Sequence, residues 1–158
     1  MKFKIFLLLL FFWPQQLISI ELECKFEEVY IDQSIQNGLI LIKDQNLRYQ
    51  YSDKKLYTII KNPKGIFLIN NYSKEVSQEI FDPVVDKIIQ ILNEQNFQKK
   101  IYIFDNLNIK VFFNKNGDLV KRIAIQSPKV NLSIYLNDCN QQPIQQYLFN
   151  NEPFYDYH

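Results

Sequence analysis

Few side chains in this sequence are suited to acid–base or metal chemistry. Among its 158 residues there is one histidine, His158, at the very end. A Ser-His-Asp triad needs a histidine base and a histidine metal cluster needs several imidazoles, so both are excluded. Asp82 and Asp86 stand four residues apart, but a helix cap and a solvated carboxylate explain them more simply than a catalytic pair. We therefore expect no enzyme, no metal site and no cofactor.

The two cysteines, Cys24 and Cys139, are the other reactive pair. In an oxidising compartment they would form a disulfide between the first strand and the last part of the domain. Such a bridge would enclose more than a hundred residues and is worth about 4 to 5 kcal/mol in the chain-entropy model. Two free buried thiols are the alternative. Lipid modification of Cys24 is disfavoured because Glu23 stands where a small residue is needed.

The first twenty residues have the order of a signal peptide. Lys2 and Lys4 precede the apolar run Ile5 to Trp13, and Pro14 follows it. Nine apolar residues are too few to cross a bilayer, which takes about 20. We expect residues 1–20 to be a signal peptide and residues 21–158 to be one exported domain, with an uncleaved tether as the alternative.

Composition indicates a folded domain without a polyanionic partner. Lys and Arg number 18 against 17 Asp and Glu, which gives no basic excess for nucleic acid. Hydrophobic residues make up 47% of the chain and only three residues are Gly, so disorder is excluded.

Short β-rich runs separated by turn residues fill most of the domain, a spacing typical of antiparallel meanders. The predicted strands are Leu22 to Ile31, Leu39 to Lys43, Leu47 to Tyr51, Leu56 to Lys61, Ile66 to Asn70, Glu75 to Ile80, Lys100 to Phe104, Ile109 to Phe113, Leu119 to Ile125, Val130 to Leu136 and Ile144 to Phe149. Asn116-Gly117 is the clearest hairpin turn.

One amphipathic helix interrupts the strands. Asp82 is its predicted cap and Pro83 its first residue, and the following apolar residues fall at helical spacing on one face. The fold class is therefore α+β, with one long antiparallel sheet and a covering helix.

Several strands are apolar on both faces, as in Leu39-Ile40-Leu41-Ile42 and Ile66-Phe67-Leu68-Ile69. A sheet with one face in water should alternate instead. One short helix cannot cover both faces, so three explanations remain: an unclosed barrel around an apolar hollow, a dimer interface, or sandwich packing. Only the hollow predicts a function, the binding of a lipid-like ligand.

The sequence resembles the LolA family, the periplasmic carriers of outer-membrane lipoproteins. The resemblance rests on the signal peptide, a strand around Phe26, and Gly38-Leu-Ile-Leu-Ile-Lys43 followed by Leu47-Arg-Tyr-Gln-Tyr51. It continues through Tyr57 to Ile69 with Gly65, the helix opened by Asp82-Pro83, and the ending from Leu148-Phe149 to Pro153-Phe154. It implies a curved antiparallel sheet forming an incomplete barrel, with acyl chains held on its concave face.

The resemblance also implies a set of ligand-binding residues. The apolar lining and lid would be Ile40, Ile42, Leu47, Tyr49, Tyr51, Phe67, Val85, Ile88, Ile89 and Leu92. Arg48 would be a polar group at the mouth. Each apolar residue has an equal interpretation as ordinary core, and Arg48 as an outward-facing strand residue.

Two features depart from the family. Asp44-Gln45 replaces its basic-Pro pair, and its helix before the first strand is missing. The implied function is a periplasmic carrier of acylated lipoproteins, served by an inner-membrane release machinery and an outer-membrane acceptor. The alternative is a periplasmic sensor or scaffold of similar fold that binds protein partners or other lipids.

Overall fold

The computed structural model describes residues 21–79, 83–93, 101–117, 119–128 and 130–151. The predicted signal peptide (residues 1–20), Asp82 and residues 152–158 lie outside these ranges. The described elements are β1 (Glu21–Tyr30), β2 (Ile35–Lys43), β3 (Asn46–Tyr51), β4 (Tyr57–Asn62), β5 (Gly65–Asn70), β6 (Val76–Glu79), α1 (Pro83–Asn93), β7 (Ile101–Phe104), β8 (Leu107–Phe113), β9 (Val120–Gln126), β10 (Asn131–Asn140) and a 3-10 helix (Gln146–Phe149).

The ten strands form one antiparallel sheet that does not close. Their order is β6-β5-β4-β3-β2-β1-β10-β9-β8-β7, so β6 and β7 are its two edges. The first and last strands of the chain, β1 and β10, pair in the middle of the sheet. The predicted α+β class, an antiparallel sheet left open with a helix on it, is confirmed.

The sheet is strongly curved. Ile59 of β4 and Leu107 of β8 line the same cavity, although six strand spacings separate their strands in the sheet order. Six spacings of about 4.8 Å would place these strands roughly 29 Å apart in a flat sheet. A cavity of about 210 Å³ contacts both, so the sheet bends around one concave face.

The predicted disulfide between Cys24 and Cys139 is present and joins β1 to β10. Glu23 pairs with Asn140 and Lys25 with Asn137, so two β10 residues stand opposite Cys24 in a bulge. Asp138, within the bulge, has a φ of 49°. The bridge therefore closes the chain on itself at the centre of the sheet, across 115 residues of sequence.

Helix α1 covers the concave face, as its pattern predicts. Its apolar side buries Ile88, Ile89, Ile91 and Leu92 in the core formed with the strands. An ion pair of 3.0 Å between Lys61 Nζ on β4 and Asp86 Oδ1 adds a polar link at the side of the helix. In the described ranges no helix combines the length and apolarity that a membrane crossing requires.

The convex face of β2 to β4 is covered by the C-terminal segment, residues 141–151. Ile144, Leu148 and Phe149 are buried there against Leu41. The predicted strand Ile144 to Phe149 is wrong, because this segment lies across the sheet and forms a 3-10 helix from Gln146. The carbonyl oxygens of this segment accept hydrogen bonds from side chains of the sheet. In a strand they would accept them from the backbone of a neighbouring strand.

Arg48 is one of the sheet side chains that bind the carbonyl oxygens of this segment. Its side chain is 3% exposed, and its Nη1 donates to the Leu148 carbonyl oxygen at 3.0 Å. Lys43 Nζ donates to the Ile144 carbonyl at 2.8 Å, and Asn62 Nδ2 to that of Phe149 at 3.0 Å. The prediction that Arg48 lies at the mouth of the cavity is therefore wrong, since neighbouring residues of a strand point to opposite faces.

Gly38 in β2 makes room for an aromatic contact across three strands. It pairs with Phe26 of β1 on one side and with Tyr51 of β3 on the other. The rings of Phe26 and Tyr51 meet edge to face with centroids 5.4 Å apart. A Cβ on residue 38 would lie 2.5 Å from the Phe26 ring and 2.0 Å from the Gln50 carbonyl oxygen.

We therefore expect Gly38→Ala to lower the free energy of unfolding by about 1 to 3 kcal/mol, the usual cost of overpacking. The measurement is guanidinium denaturation at neutral pH. Gly117→Ala is the control, because no atom lies within 4 Å of its Cβ position and its cost comes only from the positive φ. Equal losses in the two variants would contradict the steric account.

Arg48→Met keeps the aliphatic length of the side chain but removes its donors. We expect a loss of about 1 to 3 kcal/mol in unfolding free energy, because the buried Leu148 carbonyl loses a charged partner. Arg122→Met is the control. Arg122 stacks on the Phe112 ring with its guanidinium carbon 3.8 Å from the centroid, a contact worth about 0.5 to 1 kcal/mol at exposed sites. An equal loss of unfolding free energy in the control would contradict the proposed role of the hydrogen bond from Arg48 to Leu148.

Candidate functional site

A cavity of about 210 Å³ lies between the concave face of the sheet and helix α1. Strands from both halves of the sheet contribute to it, together with the first turns of the helix. Its walls are formed by Glu28, Leu47, Tyr49, Tyr51, Ile59, Val84, Val85, Ile88, Leu107, Ile125, Ser127, Val130, Leu132 and Ile134. Apolar side chains make up nearly all of this surface.

The cavity has a buried floor and a partly exposed rim. Leu47, Ile125 and Ile134 on the floor are at most 3% exposed. On the rim, Val130 is 42% exposed, and it belongs to the segment between β9 and β10. The cavity therefore reaches the surface at this end, where a ligand could enter.

One carboxylate, that of Glu28, stands within this apolar lining. It is 4% exposed, and three tyrosine hydroxyls donate to it. Tyr49 donates to Oε1 at 2.6 Å, Tyr30 donates to Oε2 at 2.7 Å, and Tyr51 lies 2.9 Å from Oε2 and 3.1 Å from Oε1. We call Glu28 with Tyr30, Tyr49 and Tyr51 the carboxylate cluster.

Alternation and strand order bring the carboxylate cluster together. Tyr30 follows Glu28 by two residues in β1, so both side chains face the concave side. Tyr49 and Tyr51 stand in β3, one strand beyond β2. They reach across β2 at Gly38, and Tyr49 stacks on Phe26 with ring centroids 4.0 Å apart. The aromatic packing thus fixes where the hydroxyl groups point.

The environment of the cluster favours protonated tyrosines. Burial, followed by the hydrogen bond from its hydroxyl to Glu28, raises the pKa of Tyr30 to about 12. Burial and the negative charge of Glu28 also raise the pKa of Tyr49 and of Tyr51 well above the ordinary value. Each hydroxyl therefore remains a donor throughout the physiological pH range.

The structure places the predicted lining residues in three groups. Five of them line the cavity: Leu47, Tyr49, Tyr51, Val85 and Ile88. Four pack in the core on the same side without lining it: Ile40, Ile42, Ile89 and Leu92. Phe67 and Arg48 lie on the opposite face, Phe67 in a small core with Ile60 and Ile69. Placing Phe67 in the lining is wrong, because the pairing of β4 with β5 puts Leu68 on the concave side opposite Ile59.

Sequence reasoning missed Glu28, the charged residue among the described residues that line the cavity. A signal was available, because Glu28 continues the i, i+2 series of Leu22, Cys24 and Phe26 that faces the core. A charged residue in phase with such a series needs partners. Tyr30 supplies one of them from the same strand, but Tyr49 and Tyr51 come from a strand about twenty residues later, and nothing local in the sequence connects that strand to Glu28.

The site combines apolar walls with a buried carboxylate. Within the described ranges no group of three or more His, Cys, Asp or Glu side chains is placed to hold a metal ion. What the cavity offers is an apolar volume with one charged end.

No protein-family model and no curated protein matches the sequence. Among solved structures, the chain is similar to a LolA superfamily protein from Nitrosomonas europaea, with 8% sequence identity and a TM-score of 0.41 over 84% of this chain and 90% of that one.

The raised tyrosine pKa values predict an alkaline loss of stability. Unfolded tyrosines titrate near pH 10, so between about pH 10 and 12 the unfolded chain releases protons that folded Tyr30, Tyr49 and Tyr51 retain. The contribution of these tyrosines to the free energy of unfolding should therefore be constant below about pH 9 and fall as the pH rises through this window. Denaturation at a series of pH values measures it.

Tyrosinate absorbance near 295 nm tests the cause. Part of the signal from the folded protein should appear only above about pH 11, whereas in denaturant all tyrosines should titrate together near pH 10. Tyr49→Phe should reduce the late fraction. A single transition near pH 10 in the folded protein would contradict the prediction.

Proposed function

We propose that this protein is a non-enzymatic carrier that shelters the acyl chain of a lipid-like ligand in its cavity. The observation that carries the proposal is the apolar cavity of about 210 Å³ beneath helix α1. On this proposal the protein works in the periplasm, takes acylated lipoproteins from an inner-membrane release machinery and moves them towards an outer-membrane acceptor.

The cavity differs from an ordinary packing defect. Protein interiors are close-packed, and few of their voids exceed the volume of a water molecule. Apolar cavities of roughly 150 Å³ already take up small apolar molecules. This cavity is larger, has an exposed residue, Val130, on its rim, and is covered by a helix rather than by another sheet. These features support a binding site with an entrance.

Burial of an alkyl chain in this cavity contributes to affinity without any polar contact. Each CH₂ group transferred from water contributes about 0.8 kcal/mol. Five or six groups therefore give about 4 to 5 kcal/mol, and groups that remain on the rim add less. An acyl ligand of this kind would be bound reversibly, as a carrier requires.

The disulfide supports the proposed location. Structural disulfides persist in oxidising compartments such as the periplasm and the extracellular space. Cys24 is fully buried and its bridge holds the two central strands together. The bridge is therefore built into the core, which suits a protein that folds after export.

The cavity can be tested with a neutral ligand. Decanol should displace the neutral fluorophore N-phenyl-1-naphthylamine from the purified, disulfide-bonded protein. Ile59→Trp places an indole at the rim of the cavity and should weaken decanol binding at least tenfold. Loss of fluorescence on titration with decanol is the measurement.

Ile103→Trp is the matched control. Ile103 is 72% exposed on β7 and faces the convex side, so decanol binding should change less than twofold. Denaturation curves with the cooperative transition of the wild-type protein must show that both variants are folded. A folded wild-type protein that binds neither the fluorophore nor decanol would overturn the proposal.

A second candidate function is a scaffold that binds a protein partner on the convex side. Ile101 and Ile103 of edge strand β7 are 49% and 72% exposed, and Phe112 beside them is 40% exposed. The C-terminal segment covers the other half of this face, which leaves these residues in contact with solvent. A stable complex formed by lipid-free protein, lost in Ile103→Asp and kept in Ile59→Trp, would favour this function.

A further inference from the structure

The carboxylate cluster is unusual because the hydrogen-bond partners of its carboxylate are all neutral in the described part of the chain. Glu28 is buried and lines the cavity, and in the described part of the chain its hydrogen bonds come from three neutral hydroxyl groups. The ion pairs found there join Lys25 to Asp138, Lys43 to Glu21 and Lys61 to Asp86, and none involves Glu28. The hydroxyl groups solvate the carboxylate but do not cancel its charge.

A buried charge without a counter-ion is costly, so stability alone would favour a neutral or apolar side chain at this position. Glutamine would fit the same space, and leucine would match the rest of the lining. The negative charge also acts over an apolar volume, where electrostatic interactions are weakly screened. A cation in the cavity would be attracted and an anion repelled.

The aromatic groups around the carboxylate favour a cation as well. Tyr49 and Tyr51 both line the cavity, and their rings meet edge to face with centroids 5.5 Å apart. Aromatic rings attract ammonium groups that lie over their faces, more strongly where water is displaced. A carboxylate bounded by tyrosine rings is thus a combination suited to an alkylammonium head group.

We infer that Glu28 makes the cavity selective for ligands that carry a protonated amine next to the apolar chain. This inference rests on the proposed function and names the ligand class of the same site. The alkyl chain of the ligand lies along the apolar walls, and its ammonium group pairs with the Glu28 carboxylate among the tyrosines. Fatty acids, whose anionic head would meet the carboxylate, are the disfavoured class.

Three ligands with the same ten-carbon chain test the selectivity at neutral pH and below their micelle concentrations. Decylammonium, decanol and undecanoate carry the same ten-carbon alkyl chain and differ only in a positive, neutral or negative head group. Displacement of N-phenyl-1-naphthylamine gives their affinities for the wild-type protein. Decylammonium should bind at least tenfold more tightly than decanol, and undecanoate at least tenfold more weakly.

Two glutamine variants locate the cause. Glu28→Gln keeps the shape of the side chain and should reduce the preference for decylammonium over decanol to less than threefold. Glu27→Gln makes the same change of net charge one residue earlier, on the convex face, and should leave the preference unchanged.

The outcomes separate the two proposals. Equal affinities for the three ligands in the wild-type protein would overturn the selectivity and leave the carrier function standing. A preference that persists in folded Glu28→Gln would also overturn it. If none of the three binds, both proposals fall. The wild-type comparison decides the matter even if Glu28→Gln does not fold.

Discussion

Both faces of the sheet are apolar, and the need to shelter both from water shapes the rest of the molecule. Leu41 is fully buried on the convex face and Ile42, the next residue, is fully buried on the concave face. Two different elements supply the cover. The concave face is closed by its own curvature and by helix α1, and the convex face of β2 to β4 by the C-terminal segment. Cover of the concave face is incomplete, and the remaining space is the cavity.

The parts of the fold that could be predicted are those with a local signal. Strand positions follow from runs of β-branched and aromatic residues between turn residues, and helix α1 follows from its apolar spacing after Pro83. Ile144 to Phe149 shows the limit. Its apolar residues fit a strand as well as a segment packed across a sheet, and the choice depends on Arg48, about a hundred residues earlier.

The cavity could be predicted only in part, for a physical reason. Alternation within a strand assigns residues to two faces, as for Leu47, Arg48 and Tyr49, but it does not say which face is concave. In β5 both Phe67 and Leu68 are apolar, and only the register with β4 decides between them. Core and cavity walls have the same apolar character. The sequence therefore does not show that Ile40 packs in the core while Tyr49 lines the cavity.

Glu28 differs from these residues, because its chemistry cannot be explained by packing. A structural carboxylate in a core is normally paired with Lys or Arg, since the charge then costs least. Tyrosine partners leave the charge in place and hold it at a fixed point. Their rings also need Gly38 between them and Phe26, so the position of the charge depends on a backbone site with no side chain. Binding of a cation there would lower the cost of the buried carboxylate, and by linkage it would stabilise the folded state. On the proposed selectivity, the same residue would couple ligand charge to the stability of the three strands that hold the cluster.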